Sequence, residues 1–130
     1  MGIFKFKIKK IMKNDFNNKY CERTKVFAIQ LCKSFNFYQN KEAARVVIKQ
    51  LLRSGTSVAA NFRAATRARS KSEYFSKICI VVEECDETVF WLEILCEAGL
   101  VPAEKIISLQ KESIELLKIF SATKKKLKSN

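Results

Sequence analysis

The sequence has 130 residues, and its 25 Lys and Arg outnumber its 13 Asp and Glu to give a net charge of +12. A chain of this length can bury one hydrophobic core without disulfides or metal, so a single domain is expected. Three Gly and one Pro are too few for a fold with many tight turns. The charge favours an anionic partner such as nucleic acid, and no apolar run is long enough to cross a bilayer, so no membrane partner is expected.

The first 18 residues contain five lysines, and apolar residues alternate with lysine from Phe4 to Lys9. We interpret residues 1–18 as a mobile basic arm, with a short strand as the alternative. They lack the continuous apolar centre of a secretion signal. The five cysteines are odd in number and form no Cys-x-x-Cys pair, which favours reduced core residues. Both features predict a cytoplasmic protein.

Two amphipathic helices are predicted next along the chain. From about residue 19 to 38, apolar residues recur at spacings of four, four and three, as on one face of a helix: Phe27, Leu31, Phe35 and Tyr38. After a polar interruption, a longer stripe predicts a second helix that stops near Arg69: Ala44, Val47, Ile48, Leu51, Gly55, Val58, Phe62 and Ala65.

Ser70 and Glu73 have the spacing of a capping box and predict the start of a third helix. Its core seam is predicted at Phe75, Ile78, Val82, Cys85, Val89, Leu92 and Cys96. Gly99 is suited to end this helix, and Pro102 suits the first turn of the next. The fourth helix is predicted from Ile106, Ile107, Leu109, Ile114, Leu116, Leu117 and Phe120.

Four amphipathic helices with short connections predict an all-α, antiparallel, up-down-up-down four-helix bundle. We place the bundle at residues 19–123 and a Lys-rich C-terminal tail at residues 124–130.

Positive charge is concentrated on the second helix. At 100° per residue, its cations form one band away from the core stripe: Arg45, Lys49, Arg53, Arg63 and Arg67. We include Arg69 and Lys71 as further candidates for contact with nucleic acid. The third helix is acidic, with seven Asp and Glu against one Lys over residues 72–98. The band therefore has two interpretations, salt bridges with the third helix or neutralisation of phosphates.

The third helix also has apolar residues outside its predicted seam. Ile80, Phe90 and Ile94 lie roughly opposite the seam, and Trp91 lies near its flank. Apolar residues on two sides of a helix suggest a subunit interface, which makes these four residues candidates for it. The alternative is that a broad bundle core or the basic arm covers them.

No catalytic or cofactor-binding pattern is present. The absence of histidine removes the commonest general base and the commonest metal ligand. The three glycines form no phosphate-binding loop. We therefore predict no enzyme, no cofactor and no metal.

Four short stretches resemble a known family. They are Gln50–Asn61, Arg67–Ser70, Glu73–Phe75 and Asp86–Glu93. They resemble the bacterial four-helix-bundle family encoded in intervening sequences of large-subunit ribosomal RNA genes, which includes the accessory protein of diversity-generating retroelements. The resemblance covers roughly residues 20–120.

This resemblance implies a protomer that assembles as a ring-like homopentamer. In the retroelement members it also implies a basic surface suited to nucleic acid and assistance to a reverse transcriptase. Where much of the family has Ala-Glu-Gly, this chain has Arg63-Ala64-Ala65, which adds positive charge. The family offers no catalytic residue to transfer.

The sequence thus supports two hypotheses. The first is a homo-oligomeric, non-enzymatic protein that binds RNA or DNA with low sequence specificity through its basic surface. The alternative is a structural or protein-interaction bundle whose charges serve oligomerisation.

Overall fold

The protein forms four antiparallel helices: α1 (Gly2–Ser34), α2 (Glu42–Thr66), α3 (Lys71–Glu97) and α4 (Ala103–Ser129). This computed structural model describes the backbone of residues 2–36 and 41–129 and the side chains of residues 14–36 and 41–129. α2 packs between α1 and α3, while α4 packs against α3 and, less extensively, α1. The predicted four-helix bundle is confirmed.

The predicted core of α2 is correct at every position. All eight predicted residues are buried, and Gly55 allows α1 to approach closely at Leu31. Phe27 and Leu31 of α1 are also buried, as is Phe35 directly after its last residue. Tyr38 lies outside the described residues. The spacing of apolar residues therefore identified the inner faces of both helices.

The core of α3 is turned relative to the prediction. Ile78, Cys85 and Leu92 are buried as predicted, but the residues between them are different: Tyr74, Val81, Thr88 and Leu95. The predicted Phe75, Val82, Val89 and Cys96 are half-buried. Hydrogen bonds to other helices account for the buried positions of Tyr74 and Thr88. The Tyr74 hydroxyl donates to Asn17 Oδ1 at 3.0 Å, and the Thr88 hydroxyl donates to Ser54 Oγ at 2.9 Å. Hydrogen-bonded polar residues thus take the central row.

The helix ends follow the predicted capping chemistry closely. Ser70 is the N-cap of α3, and its hydroxyl accepts from the Glu73 N–H at 3.0 Å. The return bond of the capping box is shifted by one residue, because Glu73 Oε2 accepts from the Arg69 N–H at 3.4 Å. Gly99 follows α3 with a φ of 66°, in the left-handed region that glycine adopts without strain.

Both ends of the chain are more helical than predicted. α1 begins at Gly2, so the expected change from a basic arm to a helix near residue 18 is not a feature of the backbone. α4 likewise continues through the Lys-rich segment to Ser129. No Gly or Pro interrupts residues 3–36 or 103–129, and Lys, Ile, Leu and Met are good helix formers.

A cluster of four aromatic rings anchors the predicted arm to the bundle. Phe16 lies 4.6 Å from Tyr20 and 6.1 Å from Phe62, measured between ring centroids. Phe120 completes the cluster, 5.0 Å from Phe62 and 5.8 Å from Tyr20. This layer joins α1, α2 and α4 at one end of the bundle.

Candidate nucleic-acid interface

The basic band of α2 lies on the outward face of the helix. Arg45, Lys49, Arg63 and Arg67 are all exposed and lie opposite the buried stripe of α2. Within the part of the chain that the structure describes, these four side chains form no ion pair, and neither do Arg69 and Lys71. Six of the seven predicted cations are therefore available to an anionic partner.

Arg53 is the exception, because its guanidinium is bound by acidic residues of α3. Its Nη1 lies 3.1 Å from Glu84 Oε2, and its Nη2 binds Glu87 Oε2. Burial lowers the pKa of Arg53, but the bonds with Glu87 and Glu84 outweigh burial, so the pKa is raised. The salt-bridge interpretation is therefore right for Arg53. An exposed pair of this kind contributes about 0 to 1 kcal/mol to stability.

The antiparallel topology collects positive charge at one end of the bundle. The end with the aromatic cluster is built from residues 2–19, 57–82 and 116–129, and we call it the basic half. It contains 16 of the 25 Lys and Arg residues and only two acids, Asp15 and Glu73. The remaining half has nine basic and 11 acidic residues. The charge is thus polarised along the bundle axis, which raises the local potential for anions at one end.

A groove of about 540 Å³ runs between α1 and α2 at the edge of the basic half. We call it the α1–α2 groove, and its lining comes from two helical faces: Asn18, Cys21, Glu22 and Lys25 from α1, and Thr56, Ala59, Ala60, Arg63, Thr66 and Arg67 from α2. It contains three cations and one acid. The Cys21 thiol lies 3.9 Å from the Thr66 hydroxyl and links the two walls.

Asn18 and Lys25 are residues that the sequence did not identify. Helical spacing places Asn18, Cys21, Glu22 and Lys25 on one face of α1. Which neighbour that face meets depends on whether the bundle turns left or right, and spacing does not encode this handedness. The structure therefore adds an α1 wall to a site predicted from α2 alone.

Of the four residues predicted for a subunit interface, Phe90 is the one that is strongly exposed in the single chain. Phe90 is 47% exposed, whereas Trp91 and Ile94 are partly buried against the core. Ile80 is also half-buried. The Phe90 ring packs edge-on against Trp91, with centroids 4.9 Å apart, and Trp91 Nε1 donates to Glu87 Oε2 at 3.3 Å.

The described residues also bear on metal sites, membrane spans and cysteine chemistry. No group of three or more His, Cys, Asp and Glu residues there is arranged to hold a metal ion. No helix of that part is both long and apolar enough to cross a membrane. All five cysteines are free.

Comparison with known proteins identifies the family. The model of the 23S rRNA-intervening sequence protein family matches residues 17–122. The chain belongs to this family.

A solved relative has the same fold. It is the crystal structure of a protein with unknown function from the S23 ribosomal protein family of Bacteroides thetaiotaomicron, with 32% sequence identity and a TM-score of 0.76. The match covers 84% of this chain and 97% of that one. The comparison with curated proteins found no match. Neither of these two matches names an enzymatic activity.

The family region does not include all of the positive charge. The α1–α2 groove lies entirely within residues 17–122, as do the six unpaired cations of the predicted site. The lysines of residues 5–13 and 124–128 lie outside the matched region. The groove is thus part of the family domain, whereas the terminal lysines lie outside it.

Proposed function

We propose that this intervening-sequence protein is a non-enzymatic, homo-oligomeric bundle that binds RNA or DNA with low sequence specificity and acts in the cytoplasm. The observation that carries this proposal is the basic half, with 16 cations and two acids at one end of the molecule. Lys and Arg that neutralise phosphates release condensed counterions, which favours binding without any contact to base edges.

The unpaired cations of α2 support the same function. Arg63, Arg67 and Arg69 lie in the basic half, and no carboxylate within the described residues forms an ion pair with their guanidinium groups. Fully solvated cations bind a phosphate without first breaking an internal ion pair. Arg53 would have to leave Glu84 and Glu87 first, so we remove it from the proposed contact set.

Electrophoretic mobility shifts test the proposal. The full chain is mixed with a structured RNA and with duplex DNA at about 50 mM and about 200 mM salt. We expect a complex at the lower salt whose affinity falls by about 10³-fold or more at the higher salt, as for a protein with several phosphate contacts. Absence of any complex at the lower salt would contradict the proposal.

The second candidate is a protein-interaction bundle, favoured by Phe90. Its ring is exposed beside the acidic residues of α3, where a basic or apolar protein surface could bind. This candidate predicts that a protein partner stays bound after nuclease treatment. The resemblance alone adds a reverse transcriptase as a proposed partner.

A further inference from the structure

The geometry points to the α1–α2 groove as the place where one sugar-phosphate strand lies. This inference rests on the proposed function and specifies its site. It is more specific than the general basic surface. It assigns binding to the C-terminal part of the basic band of α2, at Arg63 and Arg67, together with Asn18 and Lys25 of α1. Arg45 and Lys49 of the same band are left out.

Cations lie on both walls of the groove. Arg63 lies in the last turn of α2, and Arg67 is the C-cap residue four positions later, which separates them by about 6 Å along the helix axis. Lys25 stands on the opposite wall, so cations flank the groove from both sides. A strand in the groove would meet them on both sides, whereas Arg45, about 27 Å along α2 from Arg63, lies outside it.

The shape of the groove also favours a single strand. The α2 wall includes the small side chains of Ala59 and Ala60, with Thr56 one turn before Ala60, so a chain can approach the α2 backbone closely there. Because the axes of packed helices are only about 8–10 Å apart, we expect the groove to take one extended strand rather than a duplex. The hydroxyl protons of Thr56 and Thr66 are donated to the carbonyls of Leu52 and Arg63, at 2.7 Å and 2.6 Å. The amide of Asn18 is therefore the uncharged side-chain donor that the groove offers.

The groove lacks the side chains that would hold the bases of a bound strand. No aromatic ring lines the groove, so it provides no platform on which bases could stack. Its donors suit phosphate and sugar oxygens, which carry no sequence information. The site therefore holds the strand by its backbone and leaves the bases outside.

Two double variants of the full chain test the site. The groove variant is Arg63→Gln with Arg67→Gln, and its matched control is Arg45→Gln with Lys49→Gln. Both remove two exposed, unpaired cations at the same spacing on the same helix. The probe is a fluorescein-labelled single strand of about 20 nucleotides, as RNA and as DNA of the same sequence.

We expect the groove variant to lose about tenfold or more in affinity and about two units of salt slope, and the control to change by about twofold or less. RNA and DNA should bind the parent within about threefold of each other, because the site reads neither bases nor the 2′-hydroxyl. Equal losses in both variants, or a preference for RNA or DNA above about tenfold, would overturn the groove assignment and leave the proposed function standing. Failure of the parent to bind either single strand would also overturn the groove assignment, and failure to bind structured RNA and duplex DNA as well would overturn the proposed function.

Cysteine alkylation gives a readout that does not depend on substitution. Cys21 lines the groove, whereas Cys32 is exposed farther along α1 and outside it. Saturating RNA should slow the alkylation of Cys21 by about fivefold or more, as measured by peptide mass spectrometry, and leave Cys32 unchanged. Unchanged alkylation of Cys21 in the bound complex would overturn the assignment.

Discussion

The hydroxyl of Thr88 on α3 donates a hydrogen bond to the hydroxyl of Ser54 on α2 across 2.9 Å, and both residues are 0% exposed. Each hydroxyl also lies near a carbonyl of its own helix, Thr88 at 2.7 Å from Glu84 and Ser54 at 3.2 Å from Leu51. The pair therefore joins two helices without leaving a buried polar atom unbound.

Removing this pair gives the first prediction. Ser54→Ala and Thr88→Val should each lower the free energy of unfolding by about 1 kcal/mol. The double variant should lose less than the sum, because the second substitution removes a partner that is already gone. Urea denaturation of all four proteins measures the coupling. Strict additivity would show that the two hydroxyls do not stabilise each other.

Gly55 gives the second prediction, through its contact with Leu31. A β-carbon at Gly55 would overlap Leu31 Cδ1, and Leu31 is fully buried with little room to move. Gly55→Ala should therefore destabilise the protein by about 1–3 kcal/mol despite its better helix propensity.

A Leu31→Ala background separates the two effects of that change. With the overlap removed, Gly55→Ala should stabilise by about 1 kcal/mol, which is the propensity difference alone. Thermal unfolding of the four variants checks the reversal of sign. If Gly55→Ala has the same effect in both backgrounds, the close approach of α1 and α2 is not what requires glycine.

These same contacts show what the sequence could and could not predict. The inner face of α2 followed from spacing because its apolar residues lie on one side only. α3 has apolar residues on several sides, so Val82 and Val89 looked like better core residues than Tyr74 and Thr88. Tyr74 bonds to Asn17 of α1, and Thr88 bonds to Ser54 of α2. Because both partners lie on other helices, the local sequence of α3 does not reveal these bonds.

The candidate site was predicted in part for a similar reason. Helical periodicity placed Arg63 and Arg67 on the outer face of α2, which the structure bears out. It could not identify Lys25 as their neighbour across a groove, because that depends on the handedness of the bundle. Nor could it foresee that Glu84 and Glu87 bind Arg53.

The third prediction concerns stability at alkaline pH. Burial, with smaller effects from Glu84 and Asp86, raises the pKa of Cys85 from 9.0 to about 12. Burial and, less strongly, Cys21 raise the pKa of Tyr74 from 10.0 to about 12. Both groups are neutral when protonated, so the folded chain holds these protons more tightly than the unfolded chain. The resulting stability is fully present below about pH 9 and is lost as the pH rises to about 12.

Chemical denaturation between about pH 8 and about pH 11 measures this loss. Each group should contribute a slope of up to about 1.4 kcal/mol per pH unit, with Cys85 acting from about pH 9 and Tyr74 from about pH 10. Cys85→Val should remove the earlier slope and Tyr74→Phe the later one. An unchanged profile in both variants would show that other groups cause the alkaline loss.

Glu22 gives the fourth prediction, as the acid within the α1–α2 groove. Its carboxylate repels a phosphate held by Lys25, Arg63 and Arg67. Two like charges at about 4 Å in water repel by about 1 kcal/mol, so Glu22→Gln should tighten binding of a single strand by about threefold at low salt. A gain of affinity has the advantage that misfolding does not produce it.

The matched control for this gain is Glu104→Gln. Glu104 is exposed in the first turn of α4, at the opposite end of the bundle, and its substitution changes net charge equally. Fluorescence anisotropy should show little change for this variant. Equal gains in both variants would mean that net charge governs binding and that the groove has no special role.

The last prediction concerns self-association through Phe90. A ring that is 47% exposed and held edge-on against Trp91 presents fixed apolar area on the outside of the bundle, which is typical of a residue that packs against another subunit. Phe90→Glu should therefore lower the mass measured by light scattering while circular dichroism still shows a helical protein. Ile94 is unsuitable for this test because it packs against the core.

Val46→Glu is the control, since Val46 is 55% exposed on α2 and accepts the same charge without touching the α3 surface. If the mass is unchanged in Phe90→Glu, or falls equally in Val46→Glu, then Phe90 is not at a subunit interface, and any assembly must use another face of the bundle.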